Sequence, residues 1–185
     1  MRIISGELKG KKLLIPEDKN TRPLRDMVKE SIFNILQHSN KFDFNLENKD
    51  VLDLFSGVGS FGLEALSRNA KKVTFVESYS NVFNILKKNI FNLNCEENSE
   101  IYNTNCFDIV EKFLNEEKKF DLVFLDPPFK EKKINILIET IKKKLIKKNG
   151  LIVLHRHKKD EIELTENLEI IELKYYGISK IIFGK

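Results

Sequence analysis

From residue 50 onward, short apolar runs alternate along the chain with segments whose apolar residues recur at helical spacing. Short apolar runs bounded by polar or turn residues predict buried strands. The predicted strands of this region are 51–55, 72–77, 101–104, 121–125 and 151–154. Because strands that alternate with helices form parallel sheets covered on both faces, the pattern predicts an α/β fold.

The segments between the strands carry apolar residues three and four positions apart, which predicts amphipathic helices. One helix follows a Gly-rich loop and contains Leu63, Ala65 and Leu66, and the others cover 81–91, 107–114 and 131–148. The tail predicts two further strands, 168–175 and 178–183, joined around Tyr176-Gly177. So short a connection favours an antiparallel hairpin. The whole prediction is a Rossmann-like, mostly parallel sheet of seven strands with an antiparallel C-terminal hairpin.

The first 48 residues have a different pattern. Two short segments, 2–5 and 11–15, flank Gly6-Glu7-Leu8-Lys9-Gly10 and predict a lysine-rich β-hairpin. A loop at 20–23 and a helix at about 25–37 follow. We therefore expect an N-terminal extension of hairpin and helix over 1–48, packed on a main domain of residues 49–185.

The composition indicates an ordinary globular protein and adds little else. The chain has 185 residues, 41% hydrophobic and 32% charged, as in an ordinary globular protein. No apolar run approaches the roughly 20 residues of a membrane span, and the N-terminus lacks the apolar stretch of a signal peptide. We expect a cytoplasmic protein with no membrane partner, acting as a monomer.

Cysteine and histidine give no metal-binding pattern. Cys95 and Cys106 are the only cysteines and have no histidine at ligand spacing, so two reduced, packed thiols are expected. The three histidines, His38, His155 and His157, are scattered, and we expect them at the surface. The sequence therefore predicts no metal site.

The distribution of basic residues is more informative than the net charge of +4. Only five of the 32 basic residues are arginine, and three of these lie in the first 25 positions. The forked guanidinium suits phosphates and base edges. The candidate RNA-binding residues are Arg2, Lys9, Lys11, Lys12, Arg22 and Arg25. A second cluster of lysines between 130 and 148 fits a solvated helix face equally well.

A Gly-rich loop between a strand and a helix predicts a nucleoside-containing cofactor. Residues 53–62 contain G-x-G-x-x-G, and Glu77 closes the next strand. This combination fits a dinucleotide or S-adenosylmethionine, since an acid at that place binds ribose hydroxyls. Asp53 would repel pyrophosphate but suits the ammonium group of S-adenosylmethionine, which favours the second cofactor. The candidate cofactor-binding residues are Asp53, Ser56, Gly57, Gly59, Glu77, Asn105 and Cys106.

Two of these candidates follow the third strand rather than the loop. Asn105 is expected to meet the adenine edge, and Cys106 to donate its backbone N–H there. The alternative for Asn105 is an ordinary turn residue, because asparagine is common in turns whatever the function.

The stretch Phe124-Leu125-Asp126-Pro127-Pro128-Phe129-Lys130 ends another buried strand in a turn that offers only hydrogen-bond acceptors. Proline has no backbone N–H, and residues before proline are held in extended conformations. The Asp126 carboxylate adds acceptors beside the ring of Phe129. A flat molecule that carries an NH₂ group is the ligand that such a turn would bind.

Taken in order, the first acid, the Gly-rich loop, the second acid and Asp-Pro-Pro-Phe resemble the amino-group methyltransferases of the class I Rossmann-like fold. In that class the motif [Asp/Asn/Ser]-Pro-Pro-[Tyr/Phe/Trp] marks transfer to an exocyclic base nitrogen. Other blocks resemble one branch, the bacterial 16S ribosomal RNA guanine-N2 methyltransferases of the RsmD type. These blocks are Arg2-Ile3-Ile4-Ser5-Gly6, Lys9-Gly10-Lys11-Lys12-Leu13, Thr21-Arg22-Pro23, Val28-Lys29-Glu30-Ser31-Ile32-Phe33-Asn34, Leu63-Glu64-Ala65-Leu66-Ser67-Arg68 and Tyr176-Gly177.

The resemblance runs nearly end to end and implies a specific reaction. It implies S-adenosylmethionine as cofactor, methylation of N2 of one guanine in 16S ribosomal RNA, and a protein-bearing assembly intermediate of the small subunit as substrate. It makes Asp126, Pro127 and Phe129 the candidate catalytic residues. One departure lies at His155-Arg156-His157, where related sequences often carry an acidic residue.

Three other functions share part of this pattern. A DNA or RNA adenine-N6 methyltransferase shares the proline motif, although the DNA enzymes usually add a target-recognition segment for which 185 residues leave little room. A protein or small-molecule methyltransferase would not need the basic N-terminal segment. A non-enzymatic RNA-binding module would have no use for acids at three strand ends.

Overall fold

The computed structural model describes residues 1–17, 24–160 and 168–185 of the chain. Its elements are α1 Asp26–His38, β1 Asp50–Leu54, α2 Ser60–Ser67, β2 Lys72–Val76, α3 Ser80–Asn92, β3 Ser99–Tyr102, α4 Cys106–Asn115, β4 Phe120–Leu125, α5 Ile134–Lys144, β5 Ile146–His157, β6 Ile170–Tyr176 and β7 Ser179–Gly184. The predicted alternation of strands and helices is confirmed. Arg22 and the rest of the predicted loop at 20–23 lie outside the described residues.

The seven strands form one sheet in the order β3-β2-β1-β4-β5-β7-β6. Strands β1 to β5 pair in parallel, and β7 pairs antiparallel with both β5 and β6. Strand order reverses between β1 and β4, and ligands of such sheets bind outside the carboxyl ends of the strands at this reversal. The predicted fold class and C-terminal hairpin are confirmed.

Strand residues alternate between two buried clusters, one on each face of the sheet. One face packs against apolar residues of α1, α2 and α3, and the other against α4 and α5. On the first face the rings of Phe33, Phe61 and Phe124 stack with centroids 4.8 and 3.9 Å apart. This stack ties α1 to β4, two residues before Asp126. None of the helices in the described part of the chain is long and apolar enough to cross a bilayer.

The N-terminal segment is attached to α2 by buried charges. The Glu64 carboxylate accepts the backbone N–H groups of Ile4 (2.7 Å) and Ser5 (2.9 Å). Lys29, which is fully buried, lies 3.3 Å from Glu64 and donates to the Arg2 carbonyl at 2.7 Å. The predicted hairpin is reduced to one antiparallel bridge, between Arg2 and Lys12, and the Lys11 N–H bonds to the Leu8 carbonyl within the turn.

The prediction was wrong about the junction of α5 and β5. The helix covers only Ile134–Lys144 of the predicted 131–148, and β5 begins at Ile146 instead of 151. Ile146 pairs with Phe120, and the register of the β4–β5 pair shifts before Leu151. Lys147 bonds at 2.8 Å to both Asp50 and Asp121. These strand contacts replace the helical hydrogen bonds of residues 146–148.

Candidate active site

A cavity of about 560 Å³ opens at the carboxyl ends of β1, β2 and β4. This volume is typical of small-molecule sites. The predicted site residues that line it are Asp53, Ser56, Gly57, Glu77, Asp126, Pro127 and Phe129. Gly59, Asn105 and Cys106 are absent from its wall. Parallel strands bring the three acids to one edge of the sheet although they are far apart in the sequence.

The Gly-rich loop is fixed to the ends of two strands by Ser56. Its hydroxyl donates to the Asp53 carbonyl at 2.6 Å and accepts the Val76 N–H at 2.8 Å. Gly57 has φ of +57°, and a Cβ added there would meet no atom within 4 Å. A side chain at this position would therefore be strained and would fill the space beside the loop that a ligand needs.

Asp53 is a buried carboxyl with one unused oxygen. It is fully buried at the end of β1, and its Oδ2 accepts the Gly62 N–H at 3.0 Å. Its Oδ1 has no hydrogen-bond partner among the described residues. Burial raises the pKa of this carboxyl well above its ordinary value of 3.8, and the charges of Asp126 and Glu77 raise it further. A cationic ligand group would satisfy the unused oxygen and favour ionisation.

Glu77 is held in place by the backbone around it. Its Oε2 accepts the Gly57 N–H at 2.8 Å and its Oε1 accepts the Tyr79 N–H at 2.7 Å. Each carboxylate oxygen has two acceptor sites, so both can still bind ligand hydroxyls. The carboxylate is therefore oriented before any ligand arrives.

Asn105 has a local structural function. It lies at the N-terminus of α4, is exposed, and its Oδ1 accepts the Phe107 N–H at 2.8 Å, as an N-cap does. The Cys106 side chain is buried in the core beneath α4, and burial raises the pKa of its thiol. A contact of either residue with adenine stays a prediction. Both cysteines are free and buried.

The proline turn places two open acceptors in the cavity wall. Among the described residues, no donor reaches Oδ2 of Asp126 or the carbonyl of Pro127. The next two carbonyls are occupied, because Arg156 donates to Pro128 and to Phe129, at 3.0 Å each. The turn therefore leaves one carboxylate oxygen and one carbonyl of cavity-lining residues without a donor among the described residues.

Two residues that hold this turn were missed by the sequence analysis. His155, expected at the surface, is 5% exposed, lines the cavity and lies with Nδ1 2.8 Å from Asp126 Oδ1. Arg156 is 1% exposed and forms an ion pair with Asp160. The available signal was the position of His155-Arg156 directly after an apolar run, since β5 neighbours the strand that ends in Asp126.

The basic N-terminal segment borders the cavity. Met1 and Pro16 line the cavity mouth, and the charged side chains between them point outward. The predicted RNA-binding residues that the structure describes are all exposed, namely Arg2, Lys9, Lys11, Lys12 and Arg25. In the lysine-rich region 130–148, by contrast, Lys143 forms an ion pair with Glu139, and Lys147 with Asp50 and Asp121.

Comparison with known proteins gives consistent matches over the full chain. The family model described as Conserved hypothetical protein 95 matches residues 1–185. Ribosomal RNA small subunit methyltransferase D of Haemophilus influenzae is 39% identical over 183 residues, which cover 96% of this chain and 90% of the relative.

Solved structures extend the comparison to the fold. The structure of yhhF from Escherichia coli superimposes with a TM-score of 0.83 at 28% identity, over 100% of this chain and 96% of that one. Precorrin-6y C5,15-methyltransferase from Geobacter metallireducens gives 0.71 at 15% identity, over 94% of each chain, which shows the shared methyltransferase fold alone. The chain therefore belongs to the Conserved hypothetical protein 95 family and to the same family as the ribosomal RNA small subunit methyltransferase D proteins.

Proposed function

We propose that this protein transfers a methyl group from S-adenosylmethionine to the exocyclic N2 amine of a guanine in 16S ribosomal RNA. The observation that carries the proposal is the pair of open acceptors, Asp126 Oδ2 and the Pro127 carbonyl, in the same cavity as Asp53 and Glu77. The name of the Haemophilus influenzae relative supports small-subunit ribosomal RNA as the substrate.

The residues around the cavity fit S-adenosylmethionine. The unused, buried Oδ1 of Asp53 matches the ammonium group of its methionine part, and Glu77 matches the ribose hydroxyls. Gly57 leaves open space beside the loop, Ser56 holds the loop to the strand ends, and Gly59 is the N-cap of α2 behind it. Asn105 and the Cys106 N–H are proposed to meet the adenine edge. When bound, S-adenosylmethionine supplies a methyl group activated by its positively charged sulfur.

The proline turn overcomes the low reactivity of the guanine amine. The N2 lone pair is conjugated with the ring, so the nitrogen is planar and a poor nucleophile. Asp126 Oδ2 and the Pro127 carbonyl each accept a hydrogen bond from one amine N–H, which favours a tetrahedral nitrogen with a localised lone pair. The proton that the nitrogen loses once it is methylated can pass to the Asp126 carboxylate. Phe129 stacks on the base, worth about 1–3 kcal/mol in single-strand binders. A shared cavity for cofactor and base supplies proximity and alignment.

The exposed basic residues are proposed to hold the RNA beside the cavity. Arg2 and Arg25 directly follow the cavity-lining residues Met1 and Leu24, and the three lysines lie between Met1 and Pro16, which also lines the cavity. The sequence prediction also includes Arg22. A paired guanine would have to be extruded at a cost, so an exposed guanine is the expected target. We propose that the protein acts in the cytoplasm as a monomer on an assembly intermediate, with 1–48 as the RNA-binding extension and 49–185 as the methyltransferase domain.

The test is methyl transfer from labelled S-adenosylmethionine to three substrates, namely protein-bearing small-subunit particles, naked 16S RNA and duplex DNA. Digestion of the product and mass spectrometry of the nucleosides should give N2-methylguanosine from the particles. N6-methyladenine would assign the adenine reaction instead. Cofactor binding without transfer to any nucleic acid would contradict the proposal.

Asp126→Ala sharpens this test, because it removes one open acceptor and leaves the cofactor residues in place. Turnover should fall by about 10²-fold or more, as when one preorganised hydrogen-bonding group is deleted in other enzymes. Asp126→Asn keeps one acceptor and should retain partial activity. Asp43→Ala is the matched control, since Asp43 is an exposed carboxylate that does not line the cavity. Normal turnover of Asp126→Ala would refute the role of the turn.

A further inference from the structure

A buried line of hydrogen bonds runs from Ser179 through His155 to Asp126. The Nδ1 of His155 lies 2.8 Å from Asp126 Oδ1, and its Nε2 lies 2.9 Å from Ser179 Oγ. His155 is 5% exposed and Ser179 is 3% exposed, so water competes little for these bonds. On the basis of the proposed function, we propose that His155 is a positioning residue that holds Asp126 Oδ1, so that Oδ2 faces the substrate amine.

The sheet itself brings these groups together. Leu125 pairs with Leu154 in the parallel β4–β5 ladder, so the next residues, Asp126 and His155, are neighbours at the carboxyl ends of the two strands. Strand β7 pairs antiparallel with β5 and places Ser179 opposite His157, two residues beyond His155. The histidine therefore has a fixed partner on each side.

The two partners define the tautomer of the ring. An ionised carboxylate can only accept, so Asp126 requires a proton on Nδ1 of His155. With that proton in place, the Nε2 of the neutral ring is an acceptor and accepts a hydrogen bond from the Ser179 hydroxyl. The opposite neutral tautomer would turn a lone pair towards Asp126 Oδ1 and would require a protonated aspartate, which could no longer offer two acceptors. Of the two neutral tautomers, only the Nδ1–H form matches both contacts of the ring.

The hydrogen bond to His155 restricts rotation of the carboxylate. Asp126 is partly accessible, with 21% of its side chain exposed, and no other side chain of the described residues bonds to it. Arg156 fixes the backbone of the same turn through the Pro128 and Phe129 carbonyls. Backbone and carboxylate are thus held separately by adjacent residues of β5. Since positioning acts on turnover, loss of His155 should lower kcat and leave KM for RNA unchanged.

Amide substitutions distinguish a positioning hydrogen bond from a titrating ring. In His155→Asn the amide nitrogen occupies the place of Nδ1, whereas in His155→Gln it reaches the place of Nε2. We expect His155→Asn to retain most of the turnover. His155→Gln and His155→Leu should lose about 10- to 100-fold in kcat, the scale of a misplacement of about 1 Å. S-adenosylmethionine affinity, measured by calorimetry, should stay normal and so confirm that each variant is folded.

Two outcomes would overturn the inference. Normal turnover of His155→Leu would show that Asp126 needs no partner. Turnover of His155→Asn as low as that of His155→Leu would show that the ring must take up a proton. His38→Gln is the control, because His38 is exposed at the end of α1. Failure of the wild-type protein to methylate any RNA would instead refute the proposed function, so the two failures differ.

Nitrogen-15 NMR of the histidine rings gives a result that needs no substrate. In the wild-type protein His155 should show a protonated Nδ1 and an unprotonated Nε2. In Asp126→Ala the ring should lose this preference, because the carboxylate that requires it is gone. An Nε2–H tautomer in the wild-type protein would contradict the proposed hydrogen bond, whatever the assays show.

Discussion

Substitution of Asp53 by asparagine should change both the stability of the protein and its affinity for the cofactor. The Asp53 carboxyl is fully buried, and one of its oxygens has no partner among the described residues. Its folded-state pKa lies well above 3.8, owing to burial and the nearby acids. As the pH rises above the ordinary carboxyl pKa, the unfolded chain releases its proton while the folded protein retains it. Wild-type stability should therefore fall through this window, by at most about 1.4 kcal/mol per pH unit for one group.

Asparagine does not titrate, so Asp53→Asn lacks this loss. The stability of the variant relative to the wild type should rise as the pH increases above about 4, measured by urea unfolding without ligand. Asp121→Asn is the matched control at the other end of the sheet. Burial alone would raise the pKa of Asp121, but bonds from Lys147 and the Asp50 N–H lower it overall. The relative stability of the control should therefore be nearly flat above about pH 4 and should show the opposite trend only below about pH 4.

Asp53→Asn should also lower the affinity for the cofactor. Loss of a hydrogen bond to a charged group costs about 1.5–3 kcal/mol, so calorimetry should show a corresponding fall in S-adenosylmethionine affinity for Asp53→Asn. Binding of S-adenosylmethionine to the wild-type protein should also release a proton, so that the measured heat of binding depends on the ionisation enthalpy of the buffer. The variant should release no proton. A relative stability of Asp53→Asn that is flat or falls with pH, together with unchanged affinity, would refute this account of Asp53.

Three further predictions address other parts of the molecule. Glu77→Ala should weaken S-adenosylmethionine binding by about 1.5–3 kcal/mol in calorimetry, and unchanged affinity would contradict its place at the ribose. Changing both Lys9 and Lys12 to Gln should raise KM for RNA and leave cofactor affinity normal. The slope of log binding constant against log salt concentration should become shallower by roughly 0.7–0.9 per lost contact. A wild-type slope would mean that these charges are only solvated. Glu64→Ala leaves Lys29 buried without its partner and should cost about 3–5 kcal/mol in urea unfolding, which a change below about 1 kcal/mol would contradict.

The parts of the site that depend on strand ends were predictable from sequence. Asp53, Glu77 and Asp126 each follow an apolar run, and parallel strands bring their carboxyl ends to one edge. The local sequence pattern is enough to predict these positions, because the folded sheet adds only the order in which the strands pair. The sequence could therefore predict that the cofactor-binding residues and the proline turn lie at the same edge of the sheet.

The parts that depend on contacts between distant segments were not predictable in this way. The burial of His155 rests on Asp126 and Ser179, which lie on other strands, and no periodicity in the sequence encodes that pairing. Strand β5 begins at Ile146, earlier than expected, for the same reason, since Lys147 forms ion pairs with Asp50 and Asp121. Asn105 is a different case, because the structure shows its local capping bond whereas its contact with a ligand stays a prediction.

The attachment of residues 3–8 to α2 has a consequence for the thermodynamics of RNA recognition. Gly6 packs so closely on α2 that a Cβ would lie 1.7 Å from the Ser67 carbonyl oxygen, and the Glu7 and Leu8 N–H groups bond to Ser67. Basic tails that are disordered lose conformational entropy when they fold on a nucleic acid. Here the backbone that carries Lys9 is already ordered, so RNA association would require ordering of side chains alone. Its entropy of binding should be correspondingly less unfavourable than that of a flexible arm with the same charge.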